Sequence, residues 1–263
     1  MAKIAVSGKG GVGKTTFASL LAHVLAAKGE EVYAIDADPN PTLGQALGFP
    51  SDLLARLTPI VEMAALIEER TGAKPGESGA YFRLNPRVDD VPARFSVQHR
   101  GVRLLAMGGV RGAGAGCVCP ENTMLRAMVT HLLLRERQTV LMDMVAGLEH
   151  LGRGTAAAVD AMFVIVEPGQ RSLTVAADIA HLARDLGIRE VWGVANRIRG
   201  QADLDYVRSS LKDSPLVGWL PRDDRAIEAD MQGLAVYDAA PELSRRVMDI
   251  AAQVGLLSQP AEG

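Results

Sequence analysis

The chain has 263 residues, 48% of them apolar and 22% charged. At roughly 150 residues per domain this length suits one to two domains, and the balance excludes general disorder. The 28 basic and 31 acidic residues leave a net charge of −3, and aromatics are only 4%, so there is neither a broad electrostatic footprint for nucleic acid nor a supply of rings for stacking on bases.

Taken in chain order, short apolar runs alternate with longer amphipathic ones. Lys3–Ser7 reads as a strand, followed by a glycine loop and an apolar helix from about Thr15 to Lys28. Glu31–Asp36, Val102–Ala106, Thr139–Asp143, Ala161–Val166, Val191–Ala195 and Leu216–Leu220 are further strand candidates. Their near-continuous apolar character is that of a sheet covered on both faces. Met124, Met128 and Leu132 mark one helical stripe, and Leu173, Ala176, Ile179, Ala180, Ala183 and Leu186 another that Gly187 is placed to end. The Gly/Pro-rich stretch at about 51–100 reads as an irregular insertion. The expectation is one α/β domain over 1–263, a doubly wound and mostly parallel sheet flanked by helices. No run reaches the ~18 apolar residues of a membrane span. The opening residues lack the form of a signal peptide, and two cysteines make no disulfide framework, so a soluble cytoplasmic protein is expected.

Gly8-Lys9-Gly10-Gly11-Val12-Gly13-Lys14-Thr15 fits G-x-x-x-x-G-K-[ST] between a strand and a helix, with Thr16 following. Glycines let the backbone N–H groups curl around phosphate oxygens, and the helix start adds its positive dipole end. Lys14 would bridge the β- and γ-phosphates of ATP, and the Thr15 hydroxyl would hold magnesium. Asp36, Asp38 and Asp143 fall at strand ends, where an open α/β sheet binds its ligands. One such acid is expected near magnesium and another beside the attacking water. Asn196 after the Val191–Ala195 strand, and Pro221 with Arg222 after the Leu216–Leu220 strand, are candidate base-contacting residues. A guanine reader needs an acid three residues beyond the Asn; Arg199 stands there and can accept nothing, so adenine is preferred.

The string GKGGVGKTT resembles the deviant phosphate loop of the MinD/ParA/nitrogenase-iron-protein ATPases, with Lys9 as the extra signature lysine and Asp36–Asn40 (DADPN) as the first switch. The resemblance implies the fold of those P-loop proteins and a homodimer in which Lys9 reaches the partner's nucleotide. It also implies that Asp38 orients water and Asp143 serves as the second-switch aspartate. Many members carry a proline two residues after that aspartate; here Val145 stands there.

Cys117-Val118-Cys119 follows a glycine-rich run and precedes Pro120, which suits the first position of the Met124 helix. A thiol at that helix start is biased towards thiolate, the form that binds metal; a redox pair and a small-residue core are the other readings. Two thiolates do not close a tetrahedral shell. Water, another side chain or a second subunit across a two-fold axis would complete it, with zinc, copper(I) or nickel(II) suited to the ligands. The cysteine pair, the phosphate loop and Asp143–Thr155 (DMVAGLEHLGRGT) together resemble the branch of these ATPases that matures carbon monoxide dehydrogenase. That resemblance implies nickel, with zinc possible, shared by Cys117 and Cys119 across the dimer and inserted into apo-carbon monoxide dehydrogenase. The alternative is a ParA- or MinD-type positioning ATPase acting on DNA or membrane. Against it, the apolar stripe of Leu243, Val247, Ile250 and Val254 lacks a cationic face and suits core packing, so neither nucleic acid nor membrane is expected as a partner. His23, His131 and His181 fall in helical stretches and carry no signal.

Overall fold

The computed structural model describes residues 2–38, 40–76, 81–108, 120, 123–124, 127–128, 138–144 and 159–257. Its strands are β1 (Ala2–Gly8), β2 (Glu31–Asp36), β3 (Val97–His99), β4 (Val102–Ala106), β5 (Gln138–Asp143), β6 (Ala161–Val166), β7 (Glu190–Ile198) and β8 (Leu216–Pro221). They form one sheet in the order β3-β4-β2-β5-β1-β6-β7-β8. Every pairing is parallel except β3 with β4. The central strand β1 lies between β5 and β6, so the chain winds outward from it in both directions. That doubly wound arrangement leaves a crevice at the carboxyl end of β1.

The strands are apolar on both faces because both faces are covered. Along β6, Met162, Val164 and Val166 enter one core while Phe163 and Ile165 enter the other. The second of these cores is closed by α1 (Lys14–Ala27) and α10 (Pro241–Gln253). Phe163 there meets Phe17 of α1 at 5.0 Å and Trp192 of β7 at 5.1 Å between ring centroids. Leu243, Val247 and Ile250 of α10 are buried in the same core, so its apolar stripe serves packing. On the opposite face lie α6 (Gln170–Asp185), which ends before Gly187, and the helical residues Met124 and Met128. Met107, Met142, Met144 and Met162 share that core, giving it a more adaptable, thioether-rich packing than the aromatic face.

Three shorter helices, α2 (Leu43–Ala46), α8 (Asp224–Gln232) and α9 (Val236–Ala239), border the crevice, while α7 (Gln201–Ser210) packs Leu204 and Val207 into the thioether-rich core. The expected insertion at 51–100 holds α3 (Ser51–Leu54), a 3-10 turn at Ile60–Glu62, α4 (Ala64–Thr71), α5 (Val91–Phe95) and the edge strand β3. The last escaped the sequence reading because three residues, with Gln98 exposed, make no alternating pattern.

Phe163 is fully buried between two other rings. Phe163→Ala is expected to lower unfolding free energy by about 3–5 kcal/mol, read as a reduced denaturant midpoint with an unchanged slope.

Candidate nucleotide site

The loop between β1 and α1 closes with Gly13 at the N-cap of α1, in the left-handed region at φ 92°. Two constraints select glycine there. The backbone angle disfavours any side chain, and a Cβ would meet the Asn196 amide nitrogen at 2.3 Å. That amide donates to the Val12 carbonyl at 2.7 Å, and its oxygen accepts from the Arg197 N–H at 2.9 Å. Asn196 therefore braces the glycine loop with its amide nitrogen, while the amide oxygen is held by β7 itself. A register irregularity in β7 between Ala195 and Ile198 sets it there, with Arg197 left-handed at φ 57°. The Lys14 ammonium lies 3.3 Å from the Lys9 carbonyl, folded over the loop. Lys9 is half-buried, and Gly10 and Gly11 are exposed.

The acids converge on the same end of the sheet. Asp36 and Asp143 are register partners at the ends of β2 and β5. The Thr15 hydroxyl donates to Asp143 Oδ2 at 2.6 Å, while Asp143 Oδ1 is buried without a hydrogen-bond partner. Burial is the main reason the Asp143 carboxyl is pushed up to about 7, and the nearby Asp36 charge adds to it. Asp36 is pushed up to about 6, again chiefly by burial. Both its oxygens are engaged by the following segment: Oδ1 accepts from the Asp38 N–H at 3.1 Å and Oδ2 from the Leu43 N–H at 2.8 Å. Asp36 thus shapes the loop that carries Asp38. The half-buried Asp38 in turn accepts from the Asn40 N–H at 2.8 Å.

A cavity of about 960 Å³ opens beside the loop, large enough for a nucleotide. Gly13, Thr15, Thr16, Asn196, Pro221 and Arg222 all line it, whereas Lys9, Asp36, Asp38 and Asp143 lie outside its lining. Gly8, Gly10, Gly11, Val12 and Lys14 of the loop also lie outside the lining; the three aspartates form an acidic cluster, and Thr15 joins that cluster to the cavity wall. Arg222 is exposed and pairs with Asp224 at 3.1 Å. Arg199 is committed to Asp203 through its backbone N–H and two guanidinium nitrogens.

The sequence matches the CobQ/CobB/MinD/ParA nucleotide binding domain over residues 3–236. The chain belongs to that family. It is 47% identical over 239 residues to the carbon monoxide dehydrogenase accessory protein CooC of Rhodospirillum rubrum, covering 91% of this chain and 90% of that protein. A ParA family ATPase from Chlorobium tepidum has the same fold, with a TM-score of 0.70 at 17% identity over 97% of this chain and 98% of that one. The septum site-determining protein MinD of Pyrococcus horikoshii, complexed with Mg-ADP, gives 0.67 at 17% identity over 98% and 99%. The chain is an ATPase of this family, with a nucleotide as its ligand.

Magnesium fits what the acidic cluster offers. A buried carboxylate oxygen with no partner, beside a hydroxyl that already touches the same carboxylate, is a hard oxygen set suited to that ion. Cys117 and Cys119 lie outside the described residues. Among the described residues no three His, Cys, Asp or Glu side chains converge as a metal site, and no helix is long and apolar enough to cross a membrane.

The sequence reading passed over Glu167, Thr42 and Gln45, all of which line the cavity. Glu167 was findable, since it directly follows β6 at the same sheet end as Asp36 and Asp143. It is paired with Arg197 at 3.3 Å. Thr42 and Gln45 carry no such signal, because their place depends on how Asp36 folds the loop.

The raised carboxyl of Asp143 has a stability consequence in nucleotide- and magnesium-free protein. The folded chain holds this proton up to about 7 while an unfolded aspartate releases it near 3.8. Stability contributed by the protonated form is therefore lost as pH rises between those values. Asp143→Asn keeps an acceptor for Thr15 without the charge. It is expected to raise the urea midpoint over wild type at about pH 8, with the difference closing towards about pH 4.

Proposed function

We propose that this chain is an ATP-driven accessory factor that inserts nickel into carbon monoxide dehydrogenase, working in the cytoplasm as a homodimer of one-domain subunits. The observation that carries the client is the 47% identity to CooC across nine-tenths of both chains, joined to the Cys117-x-Cys119 pair.

In this reading the loop Gly8–Thr15 and the Thr16 hydroxyl hold the phosphates, with Lys14 on the β- and γ-oxygens. The cavity between Asn196 and Pro221–Arg222 takes the nucleoside. Adenine is favoured because Arg199, at the position where a guanine reader needs an acceptor, is committed to Asp203. Thr15 and Asp143 would hold magnesium, which when bound neutralises charge on the phosphate oxygens. Asp38 orients the water that attacks the γ-phosphorus. The bond from that phosphorus to the β-bridging oxygen breaks, ADP keeps the bridging electrons, and the water's protons pass to phosphate and solvent. Lys9 reaches across the dimer to the partner's nucleotide, so a cation meets the developing charge only in the closed state. Closure brings the two Cys117/Cys119 pairs together around the nickel cargo, and hydrolysis loosens them. A tenfold change in nickel affinity needs only ~1.4 kcal/mol of coupling. The positioning reading is not favoured, since Leu243, Val247 and Ile250 are consumed in the core.

Three variants test these parts separately. Lys14→Ala is expected to lower ATP hydrolysis by about 100-fold or more, measured as phosphate release; normal turnover would remove the loop assignment. Replacing Cys117 and Cys119 with Ser is expected to abolish thiolate-to-nickel absorbance and the binding of one nickel per dimer, with nucleotide affinity retained. Unchanged nickel stoichiometry would remove the metal assignment. Lys9→Ala is expected to leave ADP binding intact and abolish the ATP-dependent dimer, measured by light scattering.

A further inference from the structure

Helix α1 is apolar along most of its length, and His23 is the exception: it is 4% exposed in a helix whose neighbours are Leu20, Leu21, Ala22, Val24 and Leu25. Its Nε2 lies 3.0 Å from the Leu47 carbonyl oxygen. A carbonyl only accepts, so Nε2 carries the hydrogen and donates it. The imidazole is backed by the Tyr237 ring of α9, with centroids 4.9 Å apart and planes at 33°.

Leu47 is the C-cap of α2, the short helix whose other end is held by Asp36 through the Leu43 N–H. The carbonyl is also constrained from its far side. Gly48 is left-handed at φ 70°, and a Cβ there would meet the Ala235 Cβ at 2.8 Å. Between the two pinned ends, Gln45 and Ala46 face the nucleotide cavity, as does Thr42 just before them. Helix α1 itself starts at Lys14 and Thr15. One rigid helix thus carries the phosphate-binding residues at its first turn and, further along the same rod, the group that grips the opposite wall of the cavity.

We infer that His23 is a positioning residue for ATP: by donating to Leu47 it fixes the distance between the phosphate loop and the α2 wall. It is not itself part of the cavity lining; it holds α2 by its hydrogen bond and packs on Tyr237 of α9, the helix whose Val236 also lines the cavity. Removing the donor leaves a buried acceptor unpaired and frees the C-terminal end of α2 to move. The wall contacts ATP in the ground state and the transition state alike, so the loss falls on binding more than on turnover.

This inference rests on the cavity being the nucleotide site, and its test separates the two. Steady-state ATP hydrolysis by the full chain is measured for wild type, His23→Leu, His23→Gln and Tyr237→Leu, with thermal midpoints recorded alongside. His23→Leu is expected to raise KM for ATP by about fivefold with kcat within about twofold of wild type. His23→Gln, whose Nε2 can donate to the same carbonyl, is expected to return KM to within about twofold of wild type. A folded His23→Leu with wild-type KM overturns the inference. So does a folded His23→Gln that matches the Leu variant. Should His23→Leu not fold, Tyr237→Leu decides: loss of the backing ring is expected to raise KM by about two- to threefold, and an unchanged KM overturns the inference. Lys14→Ala is the control for the site itself. If it hydrolyses ATP with wild-type KM and kcat, the nucleotide reading fails independently of His23.

Discussion

A 2.6 Å bond from the Thr15 hydroxyl to Asp143 ties the first turn of α1 to the end of β5 and so joins the phosphate loop to the acidic cluster. The bond is possible because β1 and β5 are parallel neighbours with Val6 opposite Asp143, which puts the end of β5 level with the start of the glycine loop. β2 lies on the other side of β5, bringing Asp36 level with Asp143. Strand order and register thus assemble one site from residues separated by nearly half the chain. The sheet is rigid because both its faces are packed, so the hydroxyl and carboxylate meet without a flexible segment having to find them.

The two buried carboxylates sit uneasily by the standards of a stable core. Each is moved out of water; the charges of Asp36 and Asp38 raise the cost of charging Asp143, and that of Asp38 raises the cost of charging Asp36. Asp36 is relieved by two backbone amides. Asp143 has a single hydroxyl and one oxygen without a partner. The contrast divides the pair by use. Asp36 spends its oxygens on folding the segment towards α2, while Asp143 keeps one free for a ligand. A site with strained carboxylates of this kind gains most when a cation arrives, which couples the folded state to ligand binding.

Much of this was legible in the residues. The apolar runs marked seven of the eight strands, three of them with matching boundaries: Glu31–Asp36, Val102–Ala106 and Ala161–Val166. The phosphate loop and its acids followed from spacing and from the rule that ligands bind at strand carboxyl ends. What escaped was whatever depends on three-dimensional contact without a pattern in sequence. Asn196, read as a base contact, does line the cavity, but its amide bonds to Val12 and Arg197 depend on the irregularity of β7 and have no trace in the sequence. His23 looked like one polar residue in a helix, since its partner is a backbone carbonyl and carbonyls leave no trace in a sequence. Cys117 and Cys119 announced a chemistry through their spacing, but they lie outside the described residues.

The brace between Asn196 and the glycine loop spans 184 positions. A ribosome makes the Gly8–Thr15 segment well before Asn196, and the side chain that holds Val12 and closes against Gly13 is added only when β7 is made. Synthesis at roughly 5–20 residues per second separates the two by several seconds or more. During that interval the nascent chain has the complete phosphate-binding motif but lacks one of its supports. The loop's full shape therefore belongs to a late stage of biogenesis, and an early-terminated product would carry the signature of a nucleotide-binding protein without the brace that holds it in form.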